Sequence, residues 1–277
     1  MCKDPKRTPA RLFRTDTPVE VYHLAGRRIR VKREDLYGCP PAPPLAKLRG
    51  LRSLLANAYI GGVRVVGCWD TRISMLGLGL AACCREFSGL RCIVSYPMGK
   101  GDNTPPQALL ARELGAKLLP VRAGRINICF AAARRHVQRQ GGFMLPFGLE
   151  CEEAVAAVAT EAGRLDVAQY ARGTIVVACG SGVTLAGLLR GLTARPHCII
   201  GVSSGRSCEN ILRCVRRHVP NPPDFLELHA AEIPYRTELN YPCPFPSNPY
   251  YDLKAWKFLA EHLPEFKDPV LFWNIGA

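Results

Sequence analysis

Hydrophobic positions along the chain alternate between short apolar runs, which predict strands, and runs with a helical period. We predict strands at residues 19–22, 28–32, 63–68, 91–96, 143–146, 174–178, 198–202 and 270–273. We predict helices at residues 45–56, 71–87, 106–114, 126–139, 152–164, 184–192, 208–218 and 250–262. The first two strands flank Ala25-Gly26-Arg27 as a hairpin. The later strand–helix alternation predicts an α/β chain with mostly parallel sheets.

The order of these elements predicts two lobes, each a mostly parallel twisted sheet flanked by helices. Residues 51–150 carry enough strands and helices for a small α/β lobe of their own. Residues 1–50 and 151–277 would together form the larger lobe. The segment 232–248 is rich in Pro and Tyr and predicts a long irregular loop. Loops of that length in a compact domain usually have a function.

Composition narrows the class of protein. The 277 residues are 48% hydrophobic, which excludes a disordered chain and a small disulfide-stapled domain. None of the thirteen cysteines stands in a C-x-x-C pair, and the six histidines lack metal-ligand spacing, so we expect no metal site. The net charge of +14 predicts attraction to polyanions, phosphates or acidic substrates. An arginine-rich solvated surface is the alternative explanation, and both stay open.

The chain contains no apolar run long enough to cross a bilayer, so we expect no membrane contact. Residues 1–7 are basic, but no apolar segment follows them as it would in a signal peptide. We therefore expect a cytoplasmic protein.

A glycine-rich turn is the most specific motif in the chain. Gly180-Ser181-Gly182-Val183-Thr184 follows a predicted buried strand and opens a predicted helix. Glycines let the backbone approach a ligand closely, and free N–H groups at a helix start bind phosphate well. An ordinary strand–helix turn capped by a hydroxyl side chain would give a similar pattern.

Two further residues carry candidate chemistry. Lys47 opens a helix behind the apolar segment Pro43-Pro44-Leu45-Ala46, and desolvation there would favour a neutral amine able to form a Schiff base. Asp252 stands at another helix start. An exposed lysine and a carboxylate that compensates the helix dipole are the simpler interpretations of each alone.

Taken together, these motifs resemble the tryptophan-synthase-β superfamily, the fold type II enzymes of pyridoxal phosphate (PLP). The nearest branch is similar to 1-aminocyclopropane-1-carboxylate deaminase and D-cysteine desulfhydrase. Lys32-Arg33-Glu34-Asp35 followed by Lys47, the loop 180–187, and Pro249-Tyr250-Tyr251-Asp252-Leu253-Lys254 match its motifs in order. The resemblance spans residues 17–277. It implies PLP as cofactor, Lys47 as the Schiff-base lysine, and residues 180–184 as the phosphate loop.

The resemblance also implies roles at the other end of the cofactor. Asp252 would pair with the pyridine nitrogen, and Tyr251 would face the substrate. The family usually has Ser-Asn-His or Ser-Asn-Gln before Thr-Arg, where the asparagine contacts the PLP 3′-oxygen and the serine helps to hold the substrate carboxylate. Here Cys68, Trp69 and Asp70 precede Thr71. We expect these four residues to contact the substrate, with contacts that differ from the family's.

An acidic partner on the pyridine nitrogen favours reactions that build negative charge at the substrate's α-carbon, such as deamination or decarboxylation. The principal hypothesis is a PLP-dependent lyase acting on an amino-acid group. A second hypothesis attaches that group to DNA, as in phage thymine hypermodification, and the +14 charge favours it. A third is a non-catalytic, basic nucleic-acid-binding protein on a relict PLP fold. Members of the family are often homodimers.

Two other patterns stay open. Gly201-Val202-Ser203-Ser204-Gly205 fits the nucleophile turn of α/β-hydrolases, with Asp252 and His262 in the order that a triad needs. The second pattern is an aromatic group that would stack on a ring substrate or pack on its own lobe. Its members are Tyr235, Tyr241, Phe245, Tyr250 and Tyr251, with Arg236 nearby.

Overall fold

The strands form two separate sheets in a computed structural model that describes residues 13–14, 16–165, 170 and 172–277. Residues 1–12 lie outside the described residues. They include residues 1–7, for which the sequence analysis expects no signal peptide. The larger sheet has the order β1-β2-β10-β7-β8-β9, and the smaller has the order β5-β4-β3-β6. All strand pairs are parallel except β1 with β2. The predicted α/β class with mostly parallel sheets is therefore confirmed.

The strand bounds follow the apolar runs closely. The larger sheet contains β1 (Val19–Leu24), β2 (Arg27–Arg33), β7 (Thr174–Cys179), β8 (Cys198–Ser203), β9 (Leu226–Ala230) and β10 (Val270–Asn274). The smaller sheet contains β3 (Val65–Trp69), β4 (Arg91–Met98), β5 (Lys117–Arg122) and β6 (Phe143–Met144). Strands β3, β7, β8 and β10 are buried along their whole length, because helices cover both faces of a parallel sheet.

Eight α-helices flank the sheets in the part of the chain that the structure describes. They are α1 (Leu48–Ile60), α2 (Leu76–Cys84), α3 (Pro106–Glu113), α4 (Ile126–Gln138), α5 (Glu152–Ala162), α6 (Val183–Gly191), α7 (Cys208–His218) and α8 (Asp252–Glu261). Within the described residues, no helix combines the length and the apolar character that crossing a membrane would require. Helix α1 packs against both α2 and α5, so it joins the helix layers of the two sheets.

The structure differs from the sequence analysis at one helix and at two strands. The helix predicted at residues 71–87 is α2 alone, because the buried carboxylate of Asp70 accepts from Gly77 N–H and holds residues 71–75 as a loop. Strands β5 and β9 were not predicted. Both lie at sheet edges, where half-buried side chains and, in β5, Pro120 weaken the apolar signal. The predicted lobe boundaries at residues 50 and 150 stay a prediction.

Candidate active site

A large cavity of about 670 Å³ lies at the carboxyl ends of the central strands. Residues that follow β3, β7, β8 and β10 line it together with the segment before α1 and the start of α4. Parallel sheets place their functional residues at this edge because the loops that leave the strands converge there. The cavity therefore collects side chains that are distant in the sequence.

Lys47 reaches the cavity from the segment that enters α1. The backbone of this segment is tied to the end of β10, since Ala46 N–H donates to Ile275 O at 2.8 Å. Burial lowers the pKa of the Lys47 amine, and the positive charge of Arg206 lowers it further. The neutral amine, which is the nucleophilic form, is thereby favoured.

Asp252 is buried at the start of α8 and lines the same cavity. Its Oδ1 accepts from the backbone N–H of Ile275 at 2.8 Å. Burial raises the pKa of this carboxyl to about 7, and the nearby Asp35 contributes in the same direction. A carboxyl with this pKa can share a proton with a basic ring nitrogen near neutral pH.

The glycine-rich turn forms a small recess next to the main cavity. Lys47, Gly180, Ser181, Gly182 and Thr184 contribute to the wall of this recess. Gly182 has φ +99°, a conformation that only glycine adopts readily, and α6 begins directly after it at Val183. The N-terminus of α6 therefore lies beside Lys47, where its first backbone N–H groups could bind an anion. Val183 itself is buried in the core.

Of the four predicted substrate residues at the end of β3, two line the cavity and two do not. Trp69 and Thr71 line the cavity, whereas Cys68 and Asp70 are not part of its wall. Successive side chains of a strand point to opposite faces, and Cys68 is wholly buried on the α2 side. The Asp70 carboxylate turns back to accept from Thr71 N–H at 2.9 Å and Gly77 N–H at 2.7 Å.

Trp69 lines the cavity and has a buried hydrogen-bond donor without a partner among the described residues. Its side chain is 5% exposed, and Nε1 has no acceptor among the described residues. A buried donor without a partner costs about 1–3 kcal/mol, so a ligand oxygen that reached it would be stabilised. This residue stands where the resemblance places the asparagine that contacts the cofactor's 3′-oxygen.

Two tyrosines join the two sheets across the cavity. Tyr235 and Tyr251 share a hydrogen bond between their hydroxyls at 2.7 Å, and the Tyr235 hydroxyl also lies 3.1 Å from Thr71 Oγ1. The two rings meet edge to face. Burial raises the pKa of Tyr251, so this hydroxyl stays protonated. The pair places two hydroxyls beside any substrate in the cavity.

The loop that carries Tyr235 is held in place by two features of the larger sheet. Lys254 of α8 donates to Pro234 O at 2.8 Å and to Tyr235 O at 3.3 Å. Gly205 lies under the Tyr235 ring, where an added Cβ would come within 2.5 Å of Cδ2. Of the predicted aromatic group, Tyr235 and Tyr251 line the cavity, whereas Phe245 packs in the core against Trp256.

The cavity also contains residues that the sequence did not indicate. Ile126, Asn127 and Phe130 come from the start of α4, and Phe147 and Gly148 come from the segment after β6. Arg206 lines the cavity while it pairs with Glu150. No motif marks these positions, because their role depends on how distant segments pack together.

The hydrolase pattern does not form a triad. Ser203 is buried and donates to Arg206 O, whereas His262 is at the other end of α8, where it contacts Glu265 at 3.1 Å. Asp252 faces the cavity and its Oδ1 is bonded to Ile275. The nucleophile, base and acid of such a triad must contact one another, so this interpretation is wrong.

Comparison with known proteins agrees with this geometry. Residues 11–237 match the family described as pyridoxal-phosphate dependent enzyme. The chain is 32% identical over 279 residues to a glycyl-dTMP PLP-dependent decarboxylase of Pseudomonas phage M6, covering 94% of this chain and 98% of that protein. The chain belongs to the PLP-dependent enzymes. Its cofactor is pyridoxal phosphate, and it is a lyase-type enzyme rather than a relict binding protein.

Solved structures show that this PLP-dependent enzyme has fold type II. The structure of an ACC deaminase homologue superimposes with a TM-score of 0.79 at 20% identity, covering 96% of this chain and 90% of that chain. An O-acetylserine dependent cystathionine beta-synthase from Helicobacter pylori superimposes with a TM-score of 0.68 at 16% identity, covering 94% and 92%. The predicted fold class and family are confirmed.

The residues of this cavity fit PLP. Gly180 leaves open space at the loop, since an added Cβ would meet only one ring atom of Tyr251, at 4.0 Å. The recess offers the N-terminus of α6 and the hydroxyls of Ser181 and Thr184 to a phosphate group. Lys47, Asp252 and Trp69 belong to the adjoining cavity wall. The Lys47 amine and the Asp252 carboxyl match an aldehyde and a pyridine nitrogen, respectively.

We predict that Asp70 makes the stability of the apoenzyme depend on pH. Burial raises the pKa of its carboxyl from 3.8 to about 7, so the folded state favours the protonated form. The resulting stabilisation is complete below pH 4 and is lost as the pH rises from there through 7. Urea unfolding between pH 5 and 7 should show that the unfolding free energy of the wild type falls more steeply with pH than that of Asp70→Asn. The difference should be up to about 1.4 kcal/mol per pH unit.

The control is Asp224→Asn, because Asp224 is 86% exposed and pairs with Arg195 at the surface. Its unfolding free energy should follow the same pH dependence as that of the wild type. Identical slopes for Asp70→Asn and the wild type would show that the Asp70 carboxyl does not titrate on unfolding over this range.

Proposed function

We propose that this enzyme removes the α-carboxylate of an amino-acid group, first of all a glycyl group, that is carried on a thymidine nucleotide of DNA. The observation that carries the proposal is the composition of the cavity. Lys47 and Asp252 are its catalytic side chains, yet its wall is mostly apolar. Apart from Lys47, it offers a substrate carboxylate no unpaired cation among the described residues. The relative from Pseudomonas phage M6, a glycyl-dTMP decarboxylase by name, supports the same reaction.

The carboxylate environment favours loss of CO2 over other lyase reactions. Arg206 is the arginine of the cavity wall, and its guanidinium is already paired with Glu150. The position of the family's carboxylate-binding serine is Cys68, which is fully buried. A substrate carboxylate in this cavity would therefore lie against apolar groups, where its charge is poorly solvated, and loss of CO2 relieves that cost.

Lys47 has two tasks in this proposal. Its amine would hold the cofactor at the aldehyde carbon, which requires the neutral form that burial favours. When it is not bonded to the cofactor, the Lys47 amine would lie at the cavity wall and could carry a proton to the substrate α-carbon. The sum of the reaction is consumption of one proton, breakage of the Cα–carboxylate bond, and release of CO2 and an amine.

Asp252 would hold a proton at the pyridine nitrogen of the cofactor. PLP, when bound, supplies an electron sink for the electron pair that the broken bond leaves on the α-carbon. The buried Asp252 carboxyl has no cationic partner among the described residues, so the ring nitrogen would be its partner. The backbone N–H of Ile275 orients the carboxyl for this contact.

The part of the cavity that PLP would leave free can accommodate a nucleoside. Cavities of roughly 300–1,000 Å³ bury drug-sized ligands, and this one has about 670 Å³ for cofactor and substrate together. Ile73, Ile126, Phe130 and Phe147 supply apolar surface for a base. The Tyr235 and Tyr251 hydroxyls belong to the same cavity, where they can bond the polar groups of a nucleotide.

The test is direct assay of the PLP-loaded enzyme with glycyl-modified thymidine monophosphate and with an oligonucleotide that contains it. We expect CO2 release and an amine product one carboxyl group lighter, measured by mass spectrometry. Free glycine should be a poor substrate, because it leaves the apolar wall empty. Ammonia release without CO2, or equal turnover of free glycine, would contradict the proposal.

A further inference from the structure

A long segment beside the cavity is basic and contains no acid. Residues 114–149 include six Lys or Arg and no Asp or Glu. All six side chains are exposed: Lys117, Arg122, Arg125, Arg134, Arg135 and Arg139. Two come from the edge strand β5, where Lys117 and Arg122 point to opposite faces of the sheet, and four come from α4 and the residues that flank it.

These cations are unpaired within the part of the chain that the structure describes. Many other surface arginines have an acidic partner: Arg72 pairs with Asp102 at 3.2 Å, and Arg213 pairs with Glu209 at 2.8 Å. None of the six has such a partner among the described acidic residues. Their positive field is therefore available to an outside anion, and the four arginines on and beside α4 predict a polyanion rather than a single small ion.

The basic surface begins at the mouth of the cavity. Ile126 and Asn127 line the cavity from the first turn of α4. The buried face of α4 consists of Cys129, Ala133 and Val137, which leaves the opposite face to solvent. That solvent face carries Asn127 and Ile128 near the cavity, and it continues to an arginine group farther along, formed by Arg134, Arg135 and Arg139.

We propose that the exposed face of α4, together with Arg125, binds the phosphate backbone of duplex DNA while the substrate nucleotide is turned out of the duplex into the cavity. This inference rests on the proposed function, which it extends from the reacting group to the polymer that carries it. At 1.5 Å per residue, Arg125 and Arg139 lie about 21 Å apart along the helix, which matches about six base-pair steps.

The apolar residues at the cavity mouth support a nucleotide that leaves the stack. Ile126 is 51% exposed although it lines an apolar cavity, and Ile128, which is outside the cavity wall, is 60% exposed. Proteins that distort duplex DNA often insert apolar side chains between bases, which offsets the cost of unstacking. The same arrangement here would place isoleucine side chains next to the gap that the extruded nucleotide leaves.

The test measures binding of the PLP-loaded enzyme to a fluorescein-labelled, unmodified 24-base-pair duplex by anisotropy over a series of salt concentrations. The test variant replaces Arg134, Arg135 and Arg139 with glutamine. The control variant makes the same change at Arg28, Arg85 and Arg216, which are exposed, unpaired among the described residues and outside the cavity wall. Both variants lose three positive charges, and their visible PLP absorbance checks that they are folded.

We expect the α4 variant to bind at least about tenfold more weakly, with a salt slope smaller by about 2 to 3, because three phosphate contacts are lost. The control variant should bind like the wild type. Equal weakening of the two variants would show that only net charge matters, and it would overturn the assignment to α4. Wild-type enzyme without measurable affinity for the duplex would overturn it as well.

These outcomes are separate from those of the decarboxylase assay. If the wild type releases CO2 from the free nucleotide but does not bind duplex DNA, the DNA surface is wrong and the reaction stands. If the α4 variant alone loses DNA binding but neither substrate is decarboxylated, the surface stands and the reaction is wrong.

Discussion

Replacing Lys47 with alanine is expected to lower turnover by at least about 10³-fold and to prevent covalent attachment of the cofactor. Removing the nucleophile of a covalent mechanism commonly costs this much or more. Lys47 is the lysine that lines both the cavity and the recess of the glycine-rich turn. The wild type with added PLP should absorb in the visible range, and borohydride reduction should fix PLP on the peptide that contains Lys47.

Two other lysines serve as controls in this experiment. Lys267 is exposed and remote from the cavity wall, so Lys267→Ala should keep the visible band, the reduced adduct and full turnover. Lys254 is also buried, but its amine is committed to the carbonyls of Pro234 and Tyr235. A reduced adduct on Lys254 in the wild type, or an unchanged visible band in Lys47→Ala, would contradict the assignment.

Replacing Asp252 with asparagine is expected to lower kcat by about 10²- to 10⁴-fold while PLP remains bound. This is the range that a positioned proton-holding group contributes in enzymes. An asparagine keeps the volume and can still accept from the Ile275 N–H, but it cannot keep a proton on the pyridine nitrogen. Steady-state decarboxylation and cofactor absorbance, measured on the same sample, separate the loss of chemistry from the loss of cofactor.

The more drastic Asp252→Ser should lower kcat at least as far, since serine also gives up the bond to Ile275. Glu265 provides the control, because it lies beyond the same helix, 70% exposed, with His262 as its partner. Glu265→Gln should leave both turnover and cofactor binding unchanged. Near-normal kcat in Asp252→Asn with PLP bound would show that the carboxylate does not support the ring nitrogen.

The two residues illustrate how burial prepares a site before any ligand binds. Desolvation lowers the pKa of Lys47 and raises that of Asp252 to about 7, so each group is drawn toward its neutral form. The neutral amine is ready to attack an aldehyde, and the carboxyl is ready to share a proton with a ring nitrogen. The larger sheet provides this burial, since the ends of β7 and β10 enclose both residues.

Several features were predictable from the sequence because they depend on local chemistry. Lys47, the turn at residues 180–184 and Asp252 are residue types with narrow uses at characteristic spacings. The strand–helix alternation likewise predicted parallel sheets, since the hydrophobic period is a local property. The positive φ of Gly182 belongs to the same tight turn.

Other features were decided only by the tertiary structure. The strand β3 sends Trp69 to the cavity but Cys68 to the core, and the register of a strand against its neighbours is not a local property. The start of α4 and the Arg206–Glu150 pair reach the cavity through contacts between segments far apart in the chain. The chain by itself thus indicated the cofactor, because the motifs that predict it are single residues and short turns. Packing decided the cavity wall, the pKa values and the basic surface beside the mouth, because each of these depends on which distant groups become neighbours.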